Sequence, residues 1–208
     1  MPKLKVLGRV TSINVRKVLW LADELGLDYE RRDWGLPLRD PKAPEFLKLN
    51  ANAQVPVLID DGFVLWESNA ILRYLAQTHH SDLLPAELRQ QALVEQWLGW
   101  QATDLNGQWG YALNALVRKT PGYDDQGRIA SSIAAWNAKM RILDGQLEKT
   151  KGFAAGEAFS LADIALGLSV HRWLETPFEH PSLPRVARYY ERVKDRMAGK
   201  QYLTQDTP

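Results

Sequence analysis

Cysteine is absent from all 208 residues of the chain. Its absence removes disulfides, thiolate nucleophiles and Cys-x-x-Cys redox chemistry together, so any sulfur chemistry must use a thiol that a ligand brings. Long apolar runs are missing too. None approaches the roughly 18 residues needed to span a bilayer, and Met1-Pro2-Lys3-Leu4-Lys5-Val6-Leu7 lacks the apolar core of a signal peptide. A cytoplasmic protein with no membrane partner is the expectation. Neither sign of charge is in excess: 26 Lys and Arg stand against 25 Asp and Glu, for a net charge of +1. Lys3, Lys5, Arg9, Arg16 and Lys17 are scattered cations rather than a stripe, which argues against nucleic acid as the main partner. Histidine is scarce. The adjacent His79 and His80 suit the C-terminal dipole of a helix better than a metal, and His171 and His180 lack ligand partners at useful spacing, so no metal site is expected.

What is present is ordinary for a soluble globular chain, at 45% hydrophobic and 25% charged residues. The length allows one large domain or two small ones, each with its own core. Eight tryptophans are the anomaly; they read as filling for a helical core rather than as a large aromatic ligand pocket.

Lys3 to Leu7 alternates like a short strand. From Val15 the apolar spacing becomes helical through Val18, Leu19, Ala22 and Leu25, with Gly26 as the stop. Tyr29 to Asp33 reads as a strand, Trp34 to Pro44 as a loop, and Pro44-Glu45-Phe46-Leu47 as a short helix. Val57 to Ile59 and Phe63 to Leu65 form a hairpin around Asp60-Asp61-Gly62. Glu67 to Gln77 is helical. After this the strand pattern stops. Leu93, Trp97, Trp100, Leu105, Trp109, Leu113 and Leu116 predict one long helix bent near Gly107 and Gly110. Ile129, Ile133, Trp136, Met140, Leu143 and Leu147 mark a second stripe. Ser160-Leu161-Ala162-Asp163 fits a capping box, and Val186, Tyr189, Tyr190, Val193 and Met197 predict one last helix. The fold class is therefore an α/β domain over residues 1–80, a linker over 81–86, and an all-helical domain over 87–208.

Three places carry the candidate chemistry. In Gln54-Val55-Pro56 a proline opens a strand, where its missing donor is tolerated. From the residues alone, a trans edge proline is the plain expectation, because only about 5–6% of X-Pro bonds are cis. A cis bond would instead leave the Val55 N–H and C=O to pair with an extended peptide. At Glu67-Ser68 a serine before an apolar-periodic run can simply cap a helix. The same helix start also holds a carboxylate well, and Glu67 can meet an ammonium, so the pair suits an α-amino acid terminus. In Thr11-Ser12-Ile13-Asn14, Ser12 or Asn14 can be a helix cap, or the Ser12 hydroxyl can sit beside a ligand sulfur. With no histidine nearby, Ser12 is no activated nucleophile, but a hydrogen-bond donor needs no activation.

Ser12 before the first helix, Gln54-Val55-Pro56, Glu67-Ser68 and a helical domain holding Ser160-Leu161-Ala162-Asp163 together resemble a cytosolic glutathione S-transferase of the serine type, grouped with the theta, phi and related bacterial classes. The resemblance spans essentially the whole chain. It implies a thioredoxin-like N-terminal domain that binds glutathione, a helical domain that shapes the pocket for a hydrophobic electrophile, and a cis Val55-Pro56 bond. Ser12 would donate to the glutathione sulfur and stabilise the thiolate, with Asn14 alongside. Gln54, Val55 and Pro56 would hold the peptide backbone, and Glu67 and Ser68 the γ-glutamyl end. Lys42 matches a basic residue aimed at the glycine carboxylate, although Pro41 stands where some relatives have histidine. Asp104 is expected to reach the ligand of a neighbouring subunit, and Trp109 and Tyr111 to line the electrophile pocket. The family further implies a homodimer acting in detoxification, with glutathione as co-substrate and no other cofactor. The same site would also serve a glutathione-dependent peroxidase or dehalogenase, or a non-catalytic binding module.

Overall fold

The computed structural model describes residues 4–203, which divide into two compact units at Leu84 and Pro85. In the first, a four-stranded sheet runs in the order β2-β1-β3-β4. β1 (Leu4–Leu7) pairs parallel with β2 (Tyr29–Arg32) and antiparallel with β3 (Val57–Asp60), which pairs antiparallel with β4 (Phe63–Trp66). The parallel step requires a crossover, which α1 (Ile13–Glu24) supplies. The antiparallel step needs only Asp61-Gly62, both at positive φ. Lys3 of the expected first strand lies outside the described residues.

Strand alternation sorts the core. Leu7 and Val57 are opposite one another in register and pack with Trp34 and Phe46, the latter from α2 (Pro44–Leu47). The Trp34 and Phe46 rings lie 4.8 Å apart, with the Arg39 guanidinium 3.8 Å from the Trp34 centroid. Val6 and Leu58, also register partners and fully buried, point the other way. There α1 packs against α3 (Ser68–Thr78), whose Ile71, Leu72 and Leu75 are at 0% exposure.

The second unit is entirely helical among its described residues apart from one isolated bridge between Phe153 and Gly156. Its centre is α7 (Leu161–Glu175), buried from Leu161 through Trp173, the pattern of a helix surrounded by other helices. α4 (Leu88–Trp100) and α8 (Pro184–Lys194) pack against it, α6 (Gln126–Thr150) packs on α8 and on α5 (Asn106–Leu116), and the short α9 (Met197–Tyr202) packs on α8. Trp136, Met140, Leu143 and Leu147 of the expected α6 stripe are buried; nearer its start Ser132 takes the buried position, with Ile129 and Ile133 only partly covered. Trp20, Trp34, Trp97, Trp109, Trp136 and Trp173 are all buried, so tryptophan fills cores here.

Two expectations need correction. The long helix does not bend at its glycines: Gly107 and Gly110 lie inside α5, and the irregularity is a π-helical turn over Gln101–Leu105. There the fully buried Gln101 side chain donates to Asn106 Oδ1 at 3.2 Å and to Ser169 Oγ at 3.0 Å, so a buried amide finds its partners at the wider turn. The last helix is also two. α8 ends at Lys194, Arg196 turns extended with its guanidinium 3.9 Å from the Phe159 centroid, and Met197 opens α9 at 92% exposure.

Candidate functional site

In the first unit, a mostly polar cavity of about 220 Å³ is lined by Asn14, Asn50, Asn52, Gln54, Val55, Pro56, Trp66, Glu67 and Ser68. Three segments distant in sequence meet there: the start of α1, the loop before β3, and the start of α3. The topology explains the meeting, since β1 and β3 are adjacent strands and α1 and α3 are packed neighbours.

Gly8 lets the segments approach. A Cβ on Gly8 would lie 2.4 Å from Val15 Cγ2 and 3.3 Å from Val55 Cβ, so any larger residue would push α1 away or displace the site loop. From Gly8 the chain turns into α1, with Ser12 N–H donating to Arg9 O at 3.1 Å. The buried Arg16 side chain reaches back to donate to Val10 O at 2.8 Å. Ser12 is the N-cap residue in extended conformation (φ −89°, ψ 124°), and its hydroxyl makes no capping hydrogen bond. Asn14 Oδ1 accepts from Ser68 Oγ at 3.3 Å, which ties the two helix starts together.

The Val55-Pro56 bond is cis. Among the described residues, no hydrogen bond engages the Val55 N–H or C=O, since the ladder to β1 begins at Val57. Asn50, 3% exposed, shapes the preceding loop: its Nδ2 donates to Gln54 O at 2.8 Å, and its Oδ1 accepts from the Asn52 N–H and Nδ2, each at 3.0 Å. On the opposite wall Glu67 holds φ 72° and ψ 108° at the N-cap of α3, outside the regions a non-glycine residue normally occupies. Such a backbone state costs about 1–3 kcal/mol and persists where the surrounding structure enforces it. The helix proper begins at Ser68, one residue later than the apolar pattern indicates.

Of the residues singled out from sequence, Asn14, Gln54, Val55, Pro56, Glu67 and Ser68 line one cavity, and Ser12 stands two residues before Asn14 at the head of α1. Lys42 is exposed on the turn before α2, where its N–H donates to Asp40 Oδ1 at 2.9 Å, and it does not line the cavity. Asp104 lies on the π-helical turn of the second unit. Its carboxylate pairs with Lys139 Nζ at 3.0 Å, and the Lys139 and Thr103 hydrogen bonds hold it below the usual carboxylate range. Trp109, expected at the electrophile pocket, is 5% exposed in the helical unit, 5.4 Å from the Trp136 ring, with the Arg172 guanidinium 5.1 Å from its centroid. Tyr111 is half-buried; its hydroxyl accepts from Asp125 N–H at 3.3 Å and its ring lies 5.0 Å from that of Tyr123. Asn50, Asn52 and Trp66 were not anticipated. The signals were there: two asparagines just before Gln54 favour a side-chain-bonded turn, and Trp66 immediately precedes Glu67.

Comparison with known proteins gives the family and the fold. A family model described as the glutathione S-transferase N-terminal domain matches residues 2–77. Glutathione S-transferase GstB of Escherichia coli K12 is 34% identical over 200 residues, covering 93% of this chain and 94% of that protein. The crystal structure of a theta class glutathione S-transferase from Xanthomonas axonopodis pv. citri, with glutathione bound, superposes over 100% of both chains with a TM-score of 0.93 at 33% identity. That of a glutathione S-transferase from Pseudomonas fluorescens covers 94% of this chain and 96% of its own, with a TM-score of 0.85 at 29% identity. The chain belongs to the glutathione S-transferase family, with a thioredoxin-like N-terminal domain followed by a helical region.

Proposed function

We propose that this protein is a glutathione transferase in which glutathione occupies the cavity of the first unit and its thiolate, stabilised by the Ser12 hydroxyl, attacks an electrophilic small molecule. One observation carries the reading: unengaged backbone groups of Val55 and the starts of α1 and α3 line or adjoin one polar cavity in the unit that matches the family model. The Val55 N–H and C=O suit the peptide of the ligand. The start of α3 and Ser68 suit a carboxylate, and Glu67 an ammonium, which together describe a γ-glutamyl terminus. Lys42 is the candidate for the glycine carboxylate. Asp104, already paired with Lys139, is the weaker candidate for a neighbouring subunit's ligand. The family further supports a cytoplasmic homodimer and a hydrophobic electrophile.

The chemistry needs no general base. A thiol with a pKa near 8.5 is mostly protonated at neutral pH, and lowering it by about two units takes about 2.7 kcal/mol. A hydrogen bond to a charged group supplies roughly 1.5–3 kcal/mol. A helix N-terminus adds about 0.3–2 kcal/mol. Ser12, at the N-cap of α1 with its hydroxyl uncommitted to the helix, combines both sources.

The test is turnover of an aryl halide, an alkyl halide and a hydroperoxide with glutathione, with glutathione affinity measured by calorimetry in wild type and Ser12→Ala. The proposal expects wild-type turnover that falls about tenfold to a hundredfold in Ser12→Ala, from the lost hydrogen bond to charge, while affinity changes little. Affinity without turnover of any of the three would leave a binding module. No affinity would remove the glutathione site altogether.

A further inference from the structure

The helical unit carries a second cavity, of about 210 Å³, which the glutathione reading does not use. Lys151, Arg185, Arg188, Arg192 and Glu148 all line it. Three of the cations sit at i, i+3 and i+7 on α8 and so share one helix face. Lys151 is the left-handed C-cap residue of α6 (φ 55°), which turns the chain back towards that face. Arg185 donates to Asp144 Oδ2 at 3.0 Å and pairs with Glu148. Arg192 is held by Gly152 O, accepting at 3.1 Å. The Lys151 ammonium and the Arg188 guanidinium have no protein partner among the described residues. Four cations against the two carboxylates of Glu148 and Asp144 leave two positive charges around the cavity.

We propose that this cavity binds a phosphate monoester. Two uncompensated charges match a dianion, and the planar guanidinium fork of Arg188 suits a pair of phosphate oxygens. Two of the same side chains, Arg188 and Arg192, also line a larger, open and mostly apolar hollow of about 730 Å³, together with Leu174, Ala187, Tyr190 and two acidic residues, Glu191 and Asp195. The phosphate therefore sits among the cations while the apolar group of the ester falls into the hollow. A soluble aryl or alkyl phosphate and the phosphomonoester headgroup of phosphatidic acid present the same chemistry, and the experiment separates them.

Calorimetric titrations of the full chain with inorganic phosphate and with phenyl phosphate, at ionic strength held constant with chloride, test the site. Saturable binding is expected, tighter for phenyl phosphate, weakened about tenfold for each cation lost in Lys151→Gln and Arg188→Gln. Glu148→Gln, which removes the opposing charge, should tighten it. Because one variant moves affinity opposite to the other two, general destabilisation cannot imitate the pattern. Co-sedimentation with phosphatidylcholine vesicles containing phosphatidic acid, against phosphatidylcholine alone, gives the lipid arm. Variant-sensitive binding of either the soluble ester or the vesicles supports the proposal and names the source. Binding that is absent in both arms, or indifferent to all three substitutions, overturns it.

Discussion

Ser12 and Ser160 are the same residue type at the same helical position, and the molecule uses them in opposite ways. Both are N-cap residues in extended conformation. Ser160, 3% exposed, is consumed by the fold: its N–H and hydroxyl each donate to Asp163 Oδ2 at 2.9 Å. Asp163 also accepts from Ala154 N–H at 3.0 Å and from the Tyr189 hydroxyl at 3.1 Å, so one carboxylate fastens the start of α7 to the preceding loop and to α8. Ser12 makes no capping bond and stands two residues before Asn14, which lines the polar cavity. A cap completed inside the protein stabilises the fold; a cap left open is available to a ligand. The start of α3 repeats the open pattern, with Glu67 at φ 72° and no capping side chain.

Perturbing the closed cap should have the largest effect. Asp163→Ala removes a fully buried carboxylate and strands the donors that met it, and a loss of at least about 3 kcal/mol is expected in denaturant unfolding. The same carboxylate gives a pH signature. Burial pushes its pKa up to about 6 against the pull of its hydrogen bonds, whereas in the unfolded chain it titrates near 3.9. Between those values the folded state binds the extra proton, so this group's contribution to stability rises as pH falls from about 6 towards 4, by on the order of 2 kcal/mol. Asp163→Asn should abolish that slope. A variant as pH-dependent as wild type would show that other groups carry it.

Next come the two serines themselves. Ser12→Ala should cost turnover about ten- to a hundredfold while leaving stability within about 0.5 kcal/mol. Ser160→Ala should do the reverse, losing about 1–2 kcal/mol of stability with glutathione affinity unchanged. Equal stability losses in both would erase the contrast. The smallest effect is expected at Glu67→Gln, which removes the partner proposed for the γ-glutamyl ammonium without touching a capping bond. It should raise the glutathione KM about tenfold, by loss of one charge pair, with kcat nearly unchanged.

Much of this was legible in the sequence because it is local. Strand alternation, the Asp60-Asp61-Gly62 turn and the Ser160-to-Asp163 box lie within a few residues of one another. The site motifs could be read as caps and a strand edge, but their convergence depends on β1 lying beside β3 and α1 beside α3, which no spacing encodes. The cis state of Val55-Pro56 followed from resemblance, not from the residues, which alone favour trans. The π-helical turn was missed because the buried Gln101 answers to Ser169, 68 positions away. The surroundings of Trp109 are equally hidden in the sequence. An aromatic residue on a helix looks the same in sequence whether it faces a ligand or, as here, Trp136.

The most direct test of the open cap is the thiolate absorbance of enzyme-bound glutathione, titrated with pH in wild type and Ser12→Ala. A wild-type midpoint about two units below the free thiol's, moving up by at least about one unit in Ser12→Ala, is the predicted result. A midpoint that is the same in both proteins would contradict it.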